Sequence, residues 1–465
     1  MIGVGLDFGT SNSTVAWFDG KQLNYVQLEH GSPILPSAIH LNRQYAPLTG
    51  SAAVAQYVEE NRGRRVELVA EVIGEYTSSV GDGRNPSTVD TDRVKRVVHG
   101  ALIDRGQQGR LFQELKRLLG DESTERLMVF ERPYRLVALV TPILERMRGA
   151  VELSLAAPVT DIHLGRPVNF EGKRARRNDV AVARLAEAAE HAGFQTATFY
   201  LEPVAATLSY LWRVGPQSQG VALTVDFGGG TLDLSVIRYA GTSFDVLATA
   251  GVGLGGNRID QMIYTEMLFP QLGKGETWTR MVDDQPVVVP FPFEEYEAGL
   301  LNWATSYLLN QNVTRTKVLA RIAEGGPAAE KFERLNDLIT FNYSYNCFQA
   351  IRQAKAALSE VNETVLDIPE INLAIPFSRD MLDVILKPVL ETLSQMIGDV
   401  IADAGLRHED IDLVIRTGGT SEIVAVRRLL EGLFPGKVAG HDPFTSVAGG
   451  LAIANYHGHG RNHSA

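Results

Sequence analysis

The hydrophobic residues of this chain fall into short runs separated by polar turns, and their spacing alternates between that of strands and that of helices. Residues 2–6 form one apolar run, and a second run ends at residue 18 after a polar turn, which predicts a β-hairpin. The same pattern recurs at residues 225–237. Runs with helical spacing follow each hairpin. Strands and helices that alternate in this way predict an α/β protein.

The second hairpin, VDFGGGTLDLSVI, carries three consecutive glycines in its turn, and they are Gly228, Gly229 and Gly230. Such a turn leaves main-chain N–H groups free to hold phosphate oxygens. Thr231 adds a hydroxyl group, and the carboxylates of Asp226 and Asp233 suit a hydrated magnesium ion. Taken alone, a glycine turn between two strands also fits a plain hairpin that binds nothing.

The first hairpin repeats this arrangement in LDFGTSNSTVAWF, where Asp7 and Gly9 correspond to Asp226 and Gly228. Its turn is filled by Thr10, Ser11 and Asn12. Two such hairpins in separate halves of the chain indicate a duplicated fold that holds one polyphosphate from both sides. The Asp-Phe-Gly triplets are not those of a protein kinase, because the sequence has neither the His-Arg-Asp loop nor the glycine-rich loop before a strand lysine.

Three further segments carry candidate chemistry. The run LFQELKRLL, residues 111–119, has helical spacing, and Lys116 lies off its leucine stripe, which predicts an exposed lysine able to reach a cleft. Glu202 precedes a proline at a favoured first helical position. It therefore either serves only as the cap at the start of a helix or contributes its carboxylate to the site. Gly418 and Gly419 join a short strand to a helix, which is a second natural anion site.

The remaining long segments are less regular. Residues 51–131 are polar and are predicted to be helical in pieces. Residues 265–345 are mixed and rich in aromatic residues, and we expect a helical subdomain there. Turn-forming and polar residues at 215–219 predict a hinge between the two halves.

Composition narrows the classes of protein to consider. The chain of 465 residues is 45% hydrophobic and 21% charged, which is typical of a soluble globular protein. Its net charge of −11 argues against non-specific nucleic-acid binding. The single cysteine, Cys347, excludes an internal disulfide framework and fits a reducing cytoplasm. No apolar run reaches membrane-spanning length, and the sequence starts directly in a strand. These features predict a cytoplasmic protein with no membrane or nucleic-acid partner.

Together these segments resemble the actin, sugar-kinase and heat-shock ATPase superfamily, and most closely the nucleotide-binding domain of the DnaK-type 70-kDa heat-shock chaperones. The hairpins resemble the two phosphate loops of that family, LGGNRID the motif after the second loop, and GGTSEIVAVRRLL the adenosine motif. LEPVAATLSY resembles the connecting motif, and AKAALSEVNET the helix beside the nucleoside. The resemblance covers almost the whole chain in the order of the family.

The resemblance implies an α/β, two-lobed, actin-like ATPase fold. Each lobe would be a mixed sheet flanked by helices, with helical subdomains inserted. Lobe I would comprise residues 1–217 and 437–465, and lobe II residues 218–436.

The resemblance also implies roles for individual residues in binding ATP or ADP with Mg²⁺ and in hydrolysing ATP. Asp7 and Asp226 would hold the magnesium shell and position the attacking water. Lys116 would stabilise the transferred phosphoryl group, and Glu202 would help to polarise the water. The other implied nucleotide contacts are Thr10, Ser11 and Asn12 at the β- and γ-phosphates, Thr231 at the γ-phosphate, Lys355 and Ser359 at the adenosine with Gly418 and Gly419 behind it, and Gly9, Gly228, Gly229, Gly230, Gly255, Gly256 and Thr420.

The sequence departs from the chaperone pattern around the base. Glu422 stands where the family carries an arginine that stacks on adenine, and Arg352 stands where it carries a glutamate. Ala356 replaces a basic residue. Residues 51–110 and 265–345 also do not resemble the chaperone sequence. Base selectivity is therefore left open.

After the ATPase-like region the sequence shows no acidic-leucine linker, no peptide-binding β-sandwich and no helical lid, as in the short YegD-like subgroup of the family. The favoured function is an ATP-driven conformational switch that acts with a protein partner or client. Two alternatives are kept. A small-molecule kinase would need a base aspartate in a cleft of the first half, and no clear candidate is found. A filament-forming or reactivase-type actin relative would bury surfaces that sequence does not reveal.

Overall fold

The computed structural model describes residues 2–79, 93–104, 106–215, 219–240 and 243–459. In this part of the chain the strands are β1 (Gly3–Phe8), β2 (Asn12–Phe18), β3 (Leu23–Tyr25), β4 (Leu35–Pro36), β5 (Ala38–Asn42), β6 (Pro47–Thr49), β7 (Leu68–Ser79), β8 (Arg93–Asp104), β9 (Gly109–Gln113), β10 (Arg126–Val129), β11 (Arg132–Arg135), β12 (Asp161–Arg166), β13 (Thr196–Leu201), β14 (Gln219–Phe227), β15 (Leu232–Ala240), β16 (Ser243–Val252), β17 (Thr277–Val282), β18 (Gln285–Pro290), β19 (Glu363–Ile368), β20 (Leu373–Ser378), β21 (Leu413–Thr417) and β22 (Val438–Gly440).

The α-helices are α1 (Ser51–Asn61), α2 (Leu115–Leu118), α3 (Leu136–Leu155), α4 (Arg177–His191), α5 (Glu202–Val214), α6 (Gly256–Ile263), α7 (Glu294–Leu300), α8 (Asn312–Ala323), α9 (Ala329–Phe341), α10 (Ser344–Ala357), α11 (Arg379–Asp403), α12 (Val424–Leu433) and α13 (Ser446–His457). Short turns of π or 3₁₀ helix lie at Tyr264–Leu268, Phe269–Leu272, Ser306–Leu309, Pro369–Ile371, His408–Asp410 and Gly419–Glu422. The hinge predicted at 215–219, with the lobe boundary at 217, falls on 216–218, outside the described residues.

Two sheets with the same topology form the centre of the molecule. The first has the strand order β13-β12-β1-β2-β3, with β4 beside β2, and the second has the order β22-β21-β14-β15-β16. In each sheet the leading hairpin is antiparallel, and two later strands add in parallel on the side of its first strand. The registers also correspond, since Asp7 pairs with Thr14 and Asp226 pairs with Asp233. The duplication expected from the two hairpins therefore extends to both central sheets.

Helices α5 and α13 pack against each other between the sheets. Residues 446–455 of α13 are all buried, which an alanine- and glycine-rich helix permits because it has no polar face to keep in water. A Cβ placed on Gly450 would lie 1.7 Å from the carbonyl oxygen of Ala205 in α5, so only glycine allows this approach. β22 pairs within the second sheet, whereas α13 packs against β1, β2 and β12 of the first sheet.

Each sheet has its own hydrophobic core. Apolar residues of β1 and β12 pack with α3 and α4 in one cluster that includes Leu6, Leu164 and Ile143. A larger cluster joins β14 and β15 to α6, α10, α11 and α12. This arrangement leaves the carboxyl ends of β1 and β14, where the two Asp-Phe-Gly sequences lie, free to form a site.

Two predictions of secondary structure are wrong. The described residues of 51–131 contain α1 and α2, but more of them lie in strands than in helices, including the long β7–β8 hairpin. The segment predicted as one helix at 111–119 instead begins in β9, which pairs with β5, and only Leu115–Leu118 is α-helical. Pairing with β5 supplies backbone hydrogen bonds that local leucine spacing cannot reveal. The segment 265–345 is mostly helical, as expected, with one hairpin, β17–β18.

The outer parts of the two halves contact each other through aromatic residues. Tyr57 of α1 is buried, and its hydroxyl donates to the carbonyl of Ala304. Its ring lies edge-on to Trp303 and Tyr307. The N–H of Val66 donates to the carbonyl of Asn310 at 2.9 Å. These contacts bridge the outer end of the space between the two halves. In the described residues, no helix combines the length and apolar character needed to cross a bilayer.

Candidate functional site

The two predicted phosphate turns face each other at close range. A Cβ placed on Gly230 would lie 2.6 Å from Cγ2 of Thr10, and one placed on Gly229 would lie 2.5 Å from Oγ of Ser11. A side chain at either glycine would therefore force Thr10 or Ser11 of the first turn to move. The facing turns are the geometry that the repeated hairpin predicted.

The start of α6 closes on the second turn. The N–H of Gly256 donates to the carbonyl of Gly228 at 3.0 Å, and the N–H of Asn257 donates to that of Gly229 at 2.8 Å. A Cβ on Gly255 would lie 2.4 Å from the Gly229 carbonyl oxygen, so a side chain there would separate the two segments. The hydroxyl of Thr420 also donates to the carbonyl of Gly228, at 2.8 Å. The glycines of LGGNRID are thus packed onto the turn VDFGGGT.

A cluster of acidic side chains lies at the strand ends beneath the two turns. Asp7 is the second-to-last residue of β1, Asp226 lies at the equivalent place in β14, and Asp233 is buried opposite Asp226 in β15. Asp233 accepts a hydrogen bond from the N–H of Val168 at 3.1 Å. Glu202, at the start of α5, completes the cluster. In the sequence, Gly9 comes shortly after Asp7 and Thr231 comes shortly before Asp233. The N–H of Gly228 donates to the carbonyl of Thr231 at 3.0 Å.

Lys116 is buried in this cluster, which corrects the prediction that it is exposed. Its Nζ donates to Oε1 of Glu202 at 2.5 Å, and the two side chains retain only 6% and 8% of their exposure. The prediction failed because it treated 111–119 as one helix, whereas α2 begins at Leu115 after the strand β9. Lys116 therefore lies inside the site and not on its rim.

The charges in the cluster do not balance. Burial, and then repulsion by Glu202, raises the pKa of Asp7 to about 7, while Lys116 lowers it. Burial and the charge of Glu202 likewise raise the pKa of Asp233 to about 7, and burial with the neighbouring carboxylates raises that of Asp226 well above its ordinary value. Burial opposes the charge on Lys116, but Glu202 and Asp7 raise its pKa, so the ammonium is retained. The cluster therefore contains more carboxyl groups than one lysine can compensate when all of them are ionised.

A cavity of about 1320 Å³ opens beside the turns. Its walls come from both halves of the chain, including α1, α2, the residues 301–305 and α10. This volume exceeds the roughly 300–1,000 Å³ of ordinary ligand pockets. The predicted site residues that line it are Thr10, Ser11, Asn12, Gly229, Gly256, Lys355, Gly419 and Thr420.

The predicted nucleoside side of the site is only partly assembled. Lys355 donates to Oδ1 of Asp260 at 2.5 Å and lines the cavity. Ser359 lies in the turn after α10, where its carbonyl accepts from Arg427 at 3.3 Å, and it is outside the set of residues that line the cavity. Gly418 has a positive φ of 80° and lies behind the second turn, where a Cβ would meet the carbonyl of Phe227 at 2.3 Å.

The two residues with reversed charge differ in their surroundings. Glu422 forms an ion pair with Arg416, so its charge is compensated within the chain. Arg352 lines the cavity on α10. Its Nε donates to the carbonyl of Phe348, while its Nη2 is buried and has no hydrogen-bond partner among the described residues.

Three residues of the site were missed by sequence reasoning. Asn257 donates to Oγ of Ser11 at 3.2 Å and to Oε1 of Glu114 at 2.6 Å, which joins the two halves above the turns. Glu114 has a left-handed backbone with φ 55°, which is rare for a residue other than glycine. Phe444 lines the cavity beside Gly419. Asn257 lies within LGGNRID, so its place in that motif could have identified it as a residue of the site. No local feature of the sequence distinguishes Glu114 or Phe444.

Comparison with known proteins gives the family. The sequence model described as "Hsp70 protein" matches residues 3–281 and 330–457 of the chain. The chain belongs to the Hsp70 family. This membership confirms the predicted resemblance and the two-lobed, actin-like ATPase fold, with its mixed sheets flanked by helices. The match leaves out residues 282–329, which include Trp303 and Tyr307 of the contact between the two outer parts.

Relatives with curated names agree with this family. Heat shock 70 kDa protein BIP3 of Oryza sativa subsp. japonica is 25% identical over 463 residues, covering 97% of this chain and 56% of that protein. Chaperone protein DnaK 3 of a Synechococcus strain is 22% identical over 466 residues, covering 97% of this chain and 57% of that protein. The Hsp70-family chain therefore spans just over half the length of these relatives.

Proteins of the Hsp70 family bind nucleotide, generally with Mg²⁺, and the residues present fit both groups. In the described residues, no three histidine, cysteine, aspartate or glutamate side chains converge as a metal site of their own. Magnesium characteristically keeps several waters and binds through one or two carboxylates and substrate phosphates. The acidic cluster beneath the two predicted phosphate turns could bind Mg²⁺ in this way, through a few carboxylates, water molecules and the phosphates of the nucleotide.

Proposed function

We propose that this Hsp70-family protein binds ATP with Mg²⁺ between its two lobes and hydrolyses it, as a nucleotide-driven conformational switch. The observation that carries the proposal is the packing of Gly229 and Gly230 against Ser11 and Thr10. Both turns can then contact the same polyphosphate, and relative movement of the lobes would depend on what lies between them. The proposed lobes are those predicted from the sequence, with residues 1–217 and 437–465 in one and 218–436 in the other, except that β22 goes with the second lobe because it pairs with β21.

The side chains divide into binding and catalytic groups. Thr10, Ser11 and Asn12 bind the β- and γ-phosphates together with the main chain of the glycine turns. Lys116, whose ammonium is held by Glu202, stabilises the charge that develops on the transferred phosphoryl group. Glu202 helps to polarise the attacking water, and Thr231 lies near the γ-phosphate. Phosphoryl transfer requires positioned charge more than covalent help, which this arrangement supplies.

Asp7 and Asp226 are the proposed holders of the magnesium shell. The ion, when bound, neutralises phosphate charge and offsets the excess negative charge of the cluster. Lys355 and the turn Gly418–Gly419–Thr420 are the proposed contacts of the nucleoside, with Ser359 as a more distant candidate. We infer adenine as the base from membership of the Hsp70 family and not from the surrounding side chains, because Arg352 and Glu422 change the charges expected around the base.

We further propose a cytoplasmic protein that acts with a protein partner or client of unidentified kind. The relatives named above are described as a heat-shock and a chaperone protein, which supports a protein partner. The single cysteine, Cys347, is buried, which is compatible with a reducing compartment.

The test is steady-state ATP hydrolysis with Mg²⁺ in Asp7→Asn and Asp226→Asn variants. Each substitution removes a carboxylate from a cluster with surplus negative charge, so folding should be retained while hydrolysis falls by about a hundredfold or more. Asp399→Asn changes an exposed aspartate of α11 and should leave the rate unchanged. Wild-type rates in both cluster variants would refute the metal assignment. If the wild-type protein binds ATP but does not hydrolyse it detectably, the proposed ATPase activity is refuted and the protein would act as a nucleotide-sensing module.

A further inference from the structure

Phe444 is a large aromatic residue whose side chain is exposed in the segment that leads into the buried helix α13. It lies between β22 and α13 and is 45% exposed, whereas Thr445, the next residue, is buried. Its ring lines the cavity described above. An exposed phenylalanine in the wall of a large cavity is a candidate contact for a ligand.

The backbone at Phe444 is fixed by contacts to both sheets. Its N–H donates to Oδ1 of Asp442 at 2.9 Å, and its carbonyl accepts from the hydroxyl of Thr14 in β2 at 3.4 Å. The carbonyl of Asp442 accepts from the hydroxyl of Thr417 at the end of β21, at 3.0 Å. The ring is therefore placed by the fold, and its exposure does not follow from a loose loop.

The ring lies directly beside the glycine turn proposed to contact the nucleoside. A Cβ placed on Gly419 would lie 3.2 Å from Cε1 and 3.3 Å from Cζ of Phe444, which is tighter than ordinary van der Waals contact. Gly419, Thr420 and Phe444 line the same cavity as Lys355 and Asn12. The aromatic face is thus next to groups that would hold the sugar and phosphates.

The chemistry of the ring decides which part of a ligand it can take. The face of an aromatic ring carries partial negative charge, so it does not attract phosphate oxygens. A planar heterocycle stacks on it well, and such stacking tolerates any base because every base has a π-face. We propose, on the basis of the ATP-binding function proposed above, that Phe444 is a further ligand-binding residue on which the nucleotide base stacks.

The test compares the binding of ATP, GTP and inorganic tripolyphosphate to the full chain by calorimetry. Phe444→Ala should weaken ATP and GTP by the same factor, about tenfold. Tripolyphosphate, which has no base, should bind within about twofold of the wild-type affinity. Phe444→Trp should keep nucleotide affinity because it retains a planar face. Phe341→Ala removes a ring of similar exposure, 43%, from α9 outside the cavity and should change none of these affinities.

The outcomes separate this inference from the proposed function. Nucleotide affinity unchanged by Phe444→Ala would overturn the stacking inference alone. An equal loss of nucleotide and tripolyphosphate affinity would also overturn it, because the ring would then only support the loop. Thermal unfolding checks folding, and Phe444→Leu, which keeps apolar bulk without a planar face, should reproduce the selective loss if Phe444→Ala is unstable. A wild-type protein that binds none of the three ligands would refute the proposed function and this inference together.

Discussion

Replacing Lys116 by methionine separates its structural from its catalytic contribution. Lys116 and Glu202 are almost fully buried and joined at 2.5 Å, with Asp7 among the groups that act on the lysine. Removing the ammonium takes away the ion-pair partner of Glu202, which then lies buried beside other carboxylates with Arg166 as a remaining cation that interacts with it. Breaking a buried pair in this way costs about 3–5 kcal/mol. We therefore expect Lys116→Met to lower the free energy of unfolding by about that amount.

The loss can be converted into a shift of the melting temperature. An unfolding entropy of about 2.1 cal/mol/K per residue gives about 1 kcal/mol/K for a cooperative unit of this length, so the midpoint should fall by about 3–5 °C. Turnover should fall by about a hundredfold as well, because a charge aimed at the transferred phosphoryl group contributes about 3 kcal/mol to transition-state stabilisation.

The double variant Lys116→Met with Glu202→Gln distinguishes the two effects. Removing both charges eliminates the unpaired carboxylate, so stability should return close to the wild-type value, while hydrolysis stays low. Urea unfolding, ATP affinity and turnover are measured on both variants, with Lys387→Met on the exposed face of α11 as the control. A single variant with unchanged stability would contradict the buried ion pair. A double variant that regains turnover would show that the lysine has no catalytic role.

Two other outcomes follow from packing at and near the site. Gly230→Ala and Gly255→Ala should each weaken ATP binding, because the new Cβ would lie 2.6 Å from Thr10 in the first variant and 2.4 Å from the Gly229 carbonyl oxygen in the second. Calorimetry measures the ATP affinity of each variant. Gly432→Ala is the control, since a Cβ there would have nothing within 4 Å. ATP affinity equal to wild type in both variants would contradict the close packing of the turns. Cys347 should resist a thiol reagent at pH 8 in the folded protein and react once unfolded, because burial raises the pKa of its thiol to about 12. Rapid reaction of the native protein would show that Cys347 is accessible.

The two Asp-Phe-Gly hairpins could be predicted from the sequence because their determinants are local. Apolar runs on either side of a glycine turn specify a strand, a turn and a strand without reference to the rest of the chain. Their repetition further predicted the duplication of the two sheets and the facing of the turns. Residues such as Asp7 and Asp226 were found for the same reason, since each is defined by its place in a short repeated phrase.

The tertiary structure alone decided the surroundings of Lys116 and Phe444. Lys116 and Glu202 are separated by 86 positions in the chain, and no local periodicity indicates that they meet. The segment before Lys116 is a strand because β5 pairs with it, and leucine spacing does not encode that partner. Phe444 faces the cavity because Thr14 and Thr417, from the two sheets, hold its turn in place. Burial and orientation at these positions depend on contacts between distant segments, and such contacts exist only once the sheets have packed.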